Sequence, residues 1–402
     1  MAFELQKQNQ VSPLIKSHEL DGNHEVIRGL TLQWIRYKMQ LNILKLIRGS
    51  YSSPMDWLGA LRYIIKLRRQ FLGHHSVQKM IKSNGKYYLE LYTPGWPGLV
   101  FDAFILSQIQ GYKPITNKKV NRFSSTILAI TKKCALQCEH CFEWDELNKK
   151  DTLNKKDLQR IVNIIQEKGV SQLFISGGEP LLKMDYIMAI LKQAKSVTDF
   201  WIYTSGYKLT DANAKQLKDA GLTGVVISLD HYLPEKHNRF RQFKDAYFWV
   251  EQAILNARKH KLITGLSVCV TRELASKNHL FCYLELAKNL KIPFVQILEP
   301  KAVGHYSNKD VLLQKKEIKI LEDVFETINF NPKYKDYPIL TYHGYYQRRM
   351  GCLSAGNKSI YIDTNGNLNS CPFCHKPSGN ILDPDFDEHL IALKDRGCPS
   401  YL

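Results

Sequence analysis

No run of 18 apolar residues occurs anywhere in the 402-residue chain; Lys, Arg or Gln breaks the apolar stretches every few positions. A membrane-spanning helix is therefore not predicted. The first ten residues, MAFELQKQNQ, lack the apolar segment of a secretory signal. Acidic side chains are scarce, with 38 Asp+Glu against 56 Lys+Arg and a formal net charge of +18. Such a surplus favours an anionic partner: a membrane surface, nucleic acid or an acidic substrate. Internal repeats and low-complexity tracts are absent. With 44% hydrophobic and 23% charged residues, disordered and collagen-like classes are excluded. Cysteine is sparse as well. Nine in a chain this long cannot form a disulfide scaffold, and in the predicted cytosolic setting clustered cysteines read as metal ligands or catalysts. Seven of the nine cluster, while Cys269 and Cys282 lie in apolar segments and read as core.

Much of the positive charge is concentrated near the start. Residues 26–82 hold eleven Lys/Arg and one acid, Asp56. Two helices are predicted there, Leu30–Ile47 and Met55–Leu72, separated by a break at Gly49–Pro54 and stopped by Gly73. KYYLELY (86–92) reads as a strand and PGWPG (94–98) as a turn. This sets off a basic, mainly helical region over 1–115. Strand and helix patterns then alternate. Six strands are predicted, Thr126–Thr131, Gln172–Ser176, Phe200–Thr204, Gly224–Leu229, Gly265–Val270 and Phe294–Leu298, each followed by a helix pattern. The pattern implies an α/β fold with a parallel sheet, open or curled into a partial barrel, over 116–330. Sites in such folds sit at the C-terminal ends of the strands. Residues 331–402 form a third segment. It has a hairpin signal at Thr364-Asn365-Gly366 and a closing helix at Asp385–Arg396. Too short for a core of its own, it is expected to need a metal staple.

Cys134-x3-Cys138-x2-Cys141 follows the first of these strands. Three thiolates within eight residues can hold one face of a [4Fe–4S] cube and leave the fourth iron without a protein ligand. A structural zinc site would want four ligands and C-x2-C pairs. The run CALQCEHCFEW (134–144), with SGGEP (176–180) at the end of the second strand, resembles the radical S-adenosylmethionine (SAM) superfamily. His140 occupies a slot where that family often has an aromatic residue. The resemblance implies a partial (β/α)6 barrel. It also implies that the free iron chelates SAM, that reduction cleaves SAM to a 5′-deoxyadenosyl radical, and that the radical abstracts a substrate hydrogen. A flavodoxin- or ferredoxin-like reductase would supply the electron.

Gly177 and Gly178 allow close backbone approach, Glu179 would accept from an ammonium, and Pro180 fixes the start of the next segment. By resemblance, these four hold the methionine end of SAM. Strand ends supply further candidate SAM contacts: Thr204 and Ser205 near the ribose and carboxylate, Ser228, and Arg272 as a charge-assisted partner of the SAM carboxylate. Asp230 is the candidate substrate contact or proton acceptor, with His231, His237, Arg239, Arg241, Lys301, His305 and Tyr306 as further substrate-side residues. Gln347-Arg348-Arg349 would bind an anionic head group or cap the C-terminal segment.

The second set, Cys352-x18-Cys371-x2-Cys374-x23-Cys398, resembles the SPASM extension in its shorter twitch form. It implies one auxiliary [4Fe–4S] cluster, with zinc as the alternative and Cys398 as the weakest ligand. Three substrate classes fit: a lipid or lipid-linked molecule reached from an anionic membrane surface through the helices bearing Trp34 and Trp57, a peptide or protein, and tRNA. The last is disfavoured, because no RNA-binding motif or stacking platform is present.

Overall fold

The computed structural model describes residues 24–352 and 356–396. The N-terminal region contains β1 (Glu25–Ile27), α1 (Gly29–Arg48), α2 (Pro54–Leu72), β2 (Met80–Ser83), β3 (Lys86–Tyr88) and α3 (Leu99–Ile109). The two basic helices appear where periodicity put them. The antiparallel sheet β1-β2-β3 was legible only in its last strand. That strand is shorter than the KYYLELY pattern, because the chain turns inward after Tyr88. Leu91 is buried, and its carbonyl accepts from Gln172 Nε2 at 3.1 Å.

The alternating part follows as β4 (Phe123–Ala129), α4 (Lys155–Lys168), β5 (Val170–Ser176), α5 (Met184–Gln193), β6 (Asp199–Thr204), α6 (Asp211–Asp219), β7 (Gly224–Ser228), α7 (Pro234–Arg241), α8 (Ala246–Lys259), β8 (Ile263–Cys269), α9 (Lys277–Asn289), β9 (Phe294–Leu298), α10 (Lys315–Phe330), β10 (Ile339–Tyr342) and α11 (His343–Met350). The chain continues as β11 (Ser359–Ile362), β12 (Leu368–Asn369) and α12 (Phe386–Arg396). Local chemistry explains the boundaries. Asn154 and Asp157 form a reciprocal capping box at the start of α4, and the buried face of that helix is Leu158, Ile161, Val162 and Ile165. Strands such as VSQLFIS are buried along their whole length, as expected where both sheet faces are covered.

The main sheet has the order β10-β9-β8-β7-β6-β5-β4-β11-β12 and is open, without barrel closure. Its parallel run includes the six predicted strands, and β10 adds a seventh βα repeat beside β9. The C-terminal segment does not stand apart. β11 pairs parallel with β4, Ile360 opposite Thr126, and Ile360, Ile362, Leu390 and Leu393 join the same core as the barrel helices. The expectation of a segment lacking its own core holds, but the main sheet supplies that core.

One sheet face packs on the helices through Leu173, Ile202, Val225, Ile227 and Leu266. The opposite face carries Phe174, Trp201, Val226, Ile263 and Phe294, covered by Ile81, Tyr88 and Leu91 of the N-terminal region. That region is therefore part of the fold. Trp57, expected as an interfacial anchor, is instead partly buried beside Ile47, Tyr51 and Ala60, with Nε1 donating to the Tyr51 carbonyl at 2.7 Å. Trp34 remains 55% exposed.

Lys79 fastens the N-terminal region to the barrel. Its ammonium is buried, and Nζ lies 2.8–3.1 Å from the carbonyls of Ile328, Tyr334, Tyr337 and Pro338, around the α10–β10 connection. Lys79→Met would fill the space and leave those carbonyls without their donor. At about 1–3 kcal/mol for a stranded buried polar group, we expect a loss of about 3 kcal/mol in urea unfolding. Lys82→Met, at a solvent-exposed ion pair, should stay within about 0.5 kcal/mol of wild type.

Candidate active site at the strand C-termini

The cysteine loop leaves β4 and is held from several sides. Thr131 Oγ1 donates to Asp151, whose Oδ1 also accepts from Lys132 N at 2.7 Å. Cys134 N donates to Asn148 Oδ1 at 3.0 Å, and Glu139 N to the Phe240 carbonyl at 3.0 Å. A turn at Gly304–Tyr306 packs against the far side. His305 N donates to the Cys141 carbonyl at 2.9 Å, its Nδ1 lies 2.9 Å from the Cys138 carbonyl, and its ring stacks on Trp144 at 3.8 Å. Sequence reading placed His305 on the substrate side; its contacts make it a clamp on the cysteine loop. Tyr361 of β11 donates to Glu143, tying the loop to the C-terminal segment.

The three thiols of this loop share one apolar cluster with Leu136, Ala246, Phe243 and Trp249. Burial, with a smaller contribution from the neighbouring sulfurs, pushes Cys134 and Cys141 up to about 12. Ionised together they repel, so the site is favourable only around positive charge. Among the described residues, the His/Cys/Asp/Glu trio with ligand atoms within 4.8 Å of one another is Asp383, Asp385 and His389. Among the described residues, neither Cys134, Cys138 and Cys141 nor Cys352, Cys371 and Cys374 is gathered within 4.8 Å, whereas the thiolates of one tetrahedral ion, at about 2.3 Å from the metal, lie about 3.8 Å apart. The three-sulfur donor set of Cys134, Cys138 and Cys141 fits one face of a [4Fe–4S] cluster.

The Gly177–Pro180 segment packs onto this loop. Gly178 N donates to the Thr131 carbonyl and Glu179 N to the Lys133 carbonyl, both at 2.7 Å. Gly177 has φ +148°, and a Cβ there would lie 2.6 Å from the Thr131 carbonyl; one on Gly178 would strike the carbonyl of Lys133. The glycines are thus required by the cysteine loop itself. Glu179 is buried, and its carboxylate accepts from Leu181 N at 3.1 Å, Thr204 Oγ1 at 2.8 Å, and Ser205 N and Oγ at 2.8 and 2.6 Å. Four donors fill its acceptor capacity. Glu179 therefore locks its segment to the end of β6. Ser228 ends β7 in register with Ser267 of β8.

Two further candidate residues are held by protein partners. Asp230 is not a free proton acceptor. Oδ2 takes Arg241 Nε at 2.6 Å and Nη2 at 2.5 Å, Oδ1 accepts from Cys269 N at 3.0 Å, and the residue is buried. Burial alone would raise its carboxyl, but the Arg241 guanidinium carries it below the ordinary range. Arg272 is committed to Asp310, with Nη1–Oδ2 at 2.9 Å, and to the Leu312 carbonyl at 2.9 Å; this two-sided pairing draws it away from a SAM carboxylate. Among the remaining predicted residues, His231, His237, Arg241 and Tyr306 are buried. Arg348 binds Glu299 at 2.6 Å and Glu322 at 2.8 Å, and Arg349 binds Glu322 at 2.9 Å, so these cations knit α11 to β9 and α10. Cys352, Cys371 and Cys374 are half-buried thiols, whereas Cys398 lies outside the described residues.

These observations define an open parallel α/β sheet with a three-cysteine loop and a glycine–glutamate segment at the ends of its first two strands. Residues 128–274 match the family model described as Radical SAM superfamily, and the chain carries a radical SAM domain. A GTP 3',8-cyclase of Nautilia profundicola is 30% identical over 181 residues, 43% of this chain and 55% of that protein. A probable GTP 3',8-cyclase of Pyrococcus abyssi is 29% identical over 156 residues, 39% of this chain and 40% of that protein. The chain spans about half the length of these curated relatives. Among solved structures, Streptococcus suis SuiB bound to precursor peptide SuiA superposes with a TM-score of 0.55 at 15% identity, over 70% of this chain and 66% of that one. Native anSMEcpe with bound AdoMet superposes with a TM-score of 0.53 at 18% identity, over 68% and 82%. Both share the fold.

Gly178→Ala tests the packing of the two segments. The added methyl should displace the cysteine loop and cut iron retained after anaerobic reconstitution by about one cluster, about four irons. Gly265→Ala, where a Cβ meets nothing closer than 3.6 Å, should retain wild-type iron in the same assay.

Proposed function

We propose that this protein is a radical SAM enzyme whose first cluster is held by Cys134, Cys138 and Cys141. The single observation that carries the reading is the convergence of three thiols, Cys138 buried and Cys134 and Cys141 half-buried, in one apolar cluster beside the Gly177–Pro180 segment at the strand C-termini. When bound, a [4Fe–4S] cluster and SAM supply reductive cleavage to a 5′-deoxyadenosyl radical, the agent that abstracts a substrate hydrogen. The protein's own residues fix the ligand loop through Asp151, Asn148 and His305. The backbone of Gly177 and Gly178, with Thr204, Ser205 and Ser228 at neighbouring strand ends, borders the space for SAM. Cys352, Cys371 and Cys374, with Cys398, are the proposed ligands of an auxiliary cluster. A small reductase of flavodoxin or ferredoxin type is the proposed electron source.

A specific feature supports work at a membrane surface. Leu30, Trp34, Tyr37, Leu41 and Leu44 recur along α1 at i+4 and i+3 spacing and are 37–83% exposed. Met55, Leu58 and Ile65 of α2 are exposed too. Lys38, Lys45, Arg48, Arg62, Lys66, Arg68 and Arg69 are also exposed on these helices. The single acid of the pair, Asp56, is taken by Lys113 at 2.8 Å. Apolar side chains bordered by cations on an exposed helix pair match the surface of an anionic bilayer. The lipid is read here as a docking surface.

Two outcomes check these readings. Wild-type protein reconstituted without oxygen should hold about eight irons, four per cluster. Replacing Cys134, Cys138 and Cys141 by Ala should remove half of them and abolish 5′-deoxyadenosine formation from SAM and dithionite; continued cleavage would refute the assignment. For docking, protein should co-sediment with phosphatidylserine-containing vesicles, less so as salt rises, since each near-surface cation is worth about 1 kcal/mol and is screened within a Debye length. Trp34→Ser with Leu41→Ser should weaken sedimentation at low salt and leave the melting temperature unchanged.

A further inference from the structure

The first cysteine set has a buried cation beside it that the ligand loop does not explain. Arg241 ends α7, where the following residue, Gln242, turns left-handed at φ +52°. Its guanidinium is turned into the protein and only 7% exposed. Nε and Nη2 grip Asp230 Oδ2, while Nη1 points to Cys138 Sγ at 3.4 Å. Asp230 is itself fixed on both sides, through Oδ1 to Cys269 N and through its own N–H to His237 Nδ1 at 3.1 Å. His237 accepts that bond as a neutral ring, since burial drops it to about 3. The chain of contacts thus runs from the ends of β7 and β8, through a buried carboxylate and guanidinium, to one ligand sulfur.

We propose, building on the radical SAM reading, that Arg241 is a positioning residue that tunes the first cluster by donating a hydrogen bond to the Cys138 sulfur, with Asp230 aiming it. The physical requirements select these residue types. Only a guanidinium can serve a carboxylate with two N–H groups and a sulfur with a third in one rigid plane; a lysine ammonium is a point donor. A carboxylate behind it compensates the buried charge, which would otherwise be costly. Hydrogen bonds to ligand sulfurs and the near positive end of a dipole stabilise the more negative, reduced cluster and so raise its reduction potential. For Cys138 the effect is strengthened by burial, because little water competes for the sulfur.

The test uses the full-length chain carrying Cys371→Ala and Cys374→Ala, so that the first cluster is read by itself. Removing Arg241 alone would strand a buried carboxylate, so the main variant is Arg241→Met with Asp230→Asn. The ion pair and its replacement have the same net charge, and the introduced amide oxygen can still accept from Cys269 N. A potential difference then reports the donor and its dipole rather than a change in net charge. In dithionite-poised titrations followed by electron paramagnetic resonance, without SAM, the double variant should be at least tenfold less reduced at a given poise. That is a midpoint about 59 mV more negative for one electron. Arg241→Lys should fall between the two. An unchanged or more positive midpoint in a double variant with wild-type iron content would overturn the tuning role and leave the cluster assignment standing. Failure of the parent chain to assemble any cluster would overturn both. Loss of iron in the double variant, with Arg241→Lys keeping both iron and wild-type midpoint, would make the pair structural and equally overturn the proposal.

Discussion

Three thiols crowded into one apolar cluster, Cys138 buried and Cys134 and Cys141 half-buried, are the constraint around which this molecule is arranged. Burial raises all three, and neighbouring sulfurs add to the rise at Cys134 and Cys141, so attraction between the thiols does not hold the loop together. It is pinned instead by outside groups: Asp151 and Asn148 from the chain just beyond it, the backbone of Gly178 and Glu179, the turn at His305, and Tyr361 from far along the sequence. Most of these contacts end on main-chain atoms of the loop. Arg241 reaches one of the sulfurs, that of Cys138, at 3.4 Å.

Legibility in the sequence followed the range of the interaction. The six strands and their helices were visible because burial on both faces writes itself as short apolar runs, and capping chemistry such as Asn154/Asp157 is local. The cysteine spacing and the Gly-Gly-Glu-Pro segment were visible for the same reason. What stayed hidden depends on contacts between distant residues. β10 adds a repeat of only four residues, and β11 looked like half of a separate hairpin until its pairing with β4 was seen. Asp230 and Arg272 were assigned roles by position at a strand end. Their partners, Arg241 and Asp310, are 11 and 38 residues away, and no spacing rule announces them. Glu179 was read as a ligand group because its neighbours Thr204 and Ser205 could not be seen filling it.

The N-terminal region illustrates a division of labour within one amphipathic pair. Leu32, Ile35, Met39 and Ile47 of α1 are buried, while Leu30, Trp34, Tyr37 and Leu41 are not. Periodicity alone shows an amphipathic helix; the structure separates one apolar stripe that belongs to the fold from another left in contact with solvent. The two tryptophans, alike in the sequence, fall on opposite sides of that division. Lys79 shows the same point for charge. One cation of the basic region is spent inside the protein on four carbonyls, and the surrounding ones stay outside.

The pairing of β11 with β4 carries a consequence for biosynthesis. β4 emerges from the ribosome more than two hundred residues before its neighbour on that side, so through most of translation it presents an unpaired edge. The cysteine loop hangs from that same strand, and its anchor Tyr361 arrives with β11. Nascent chains should therefore expose an aggregation-prone edge and an unfinished ligand loop together, and both are completed by one late step. Completion of that edge and of the loop is thereby deferred to the end of synthesis, when the sheet acquires its last parallel neighbour.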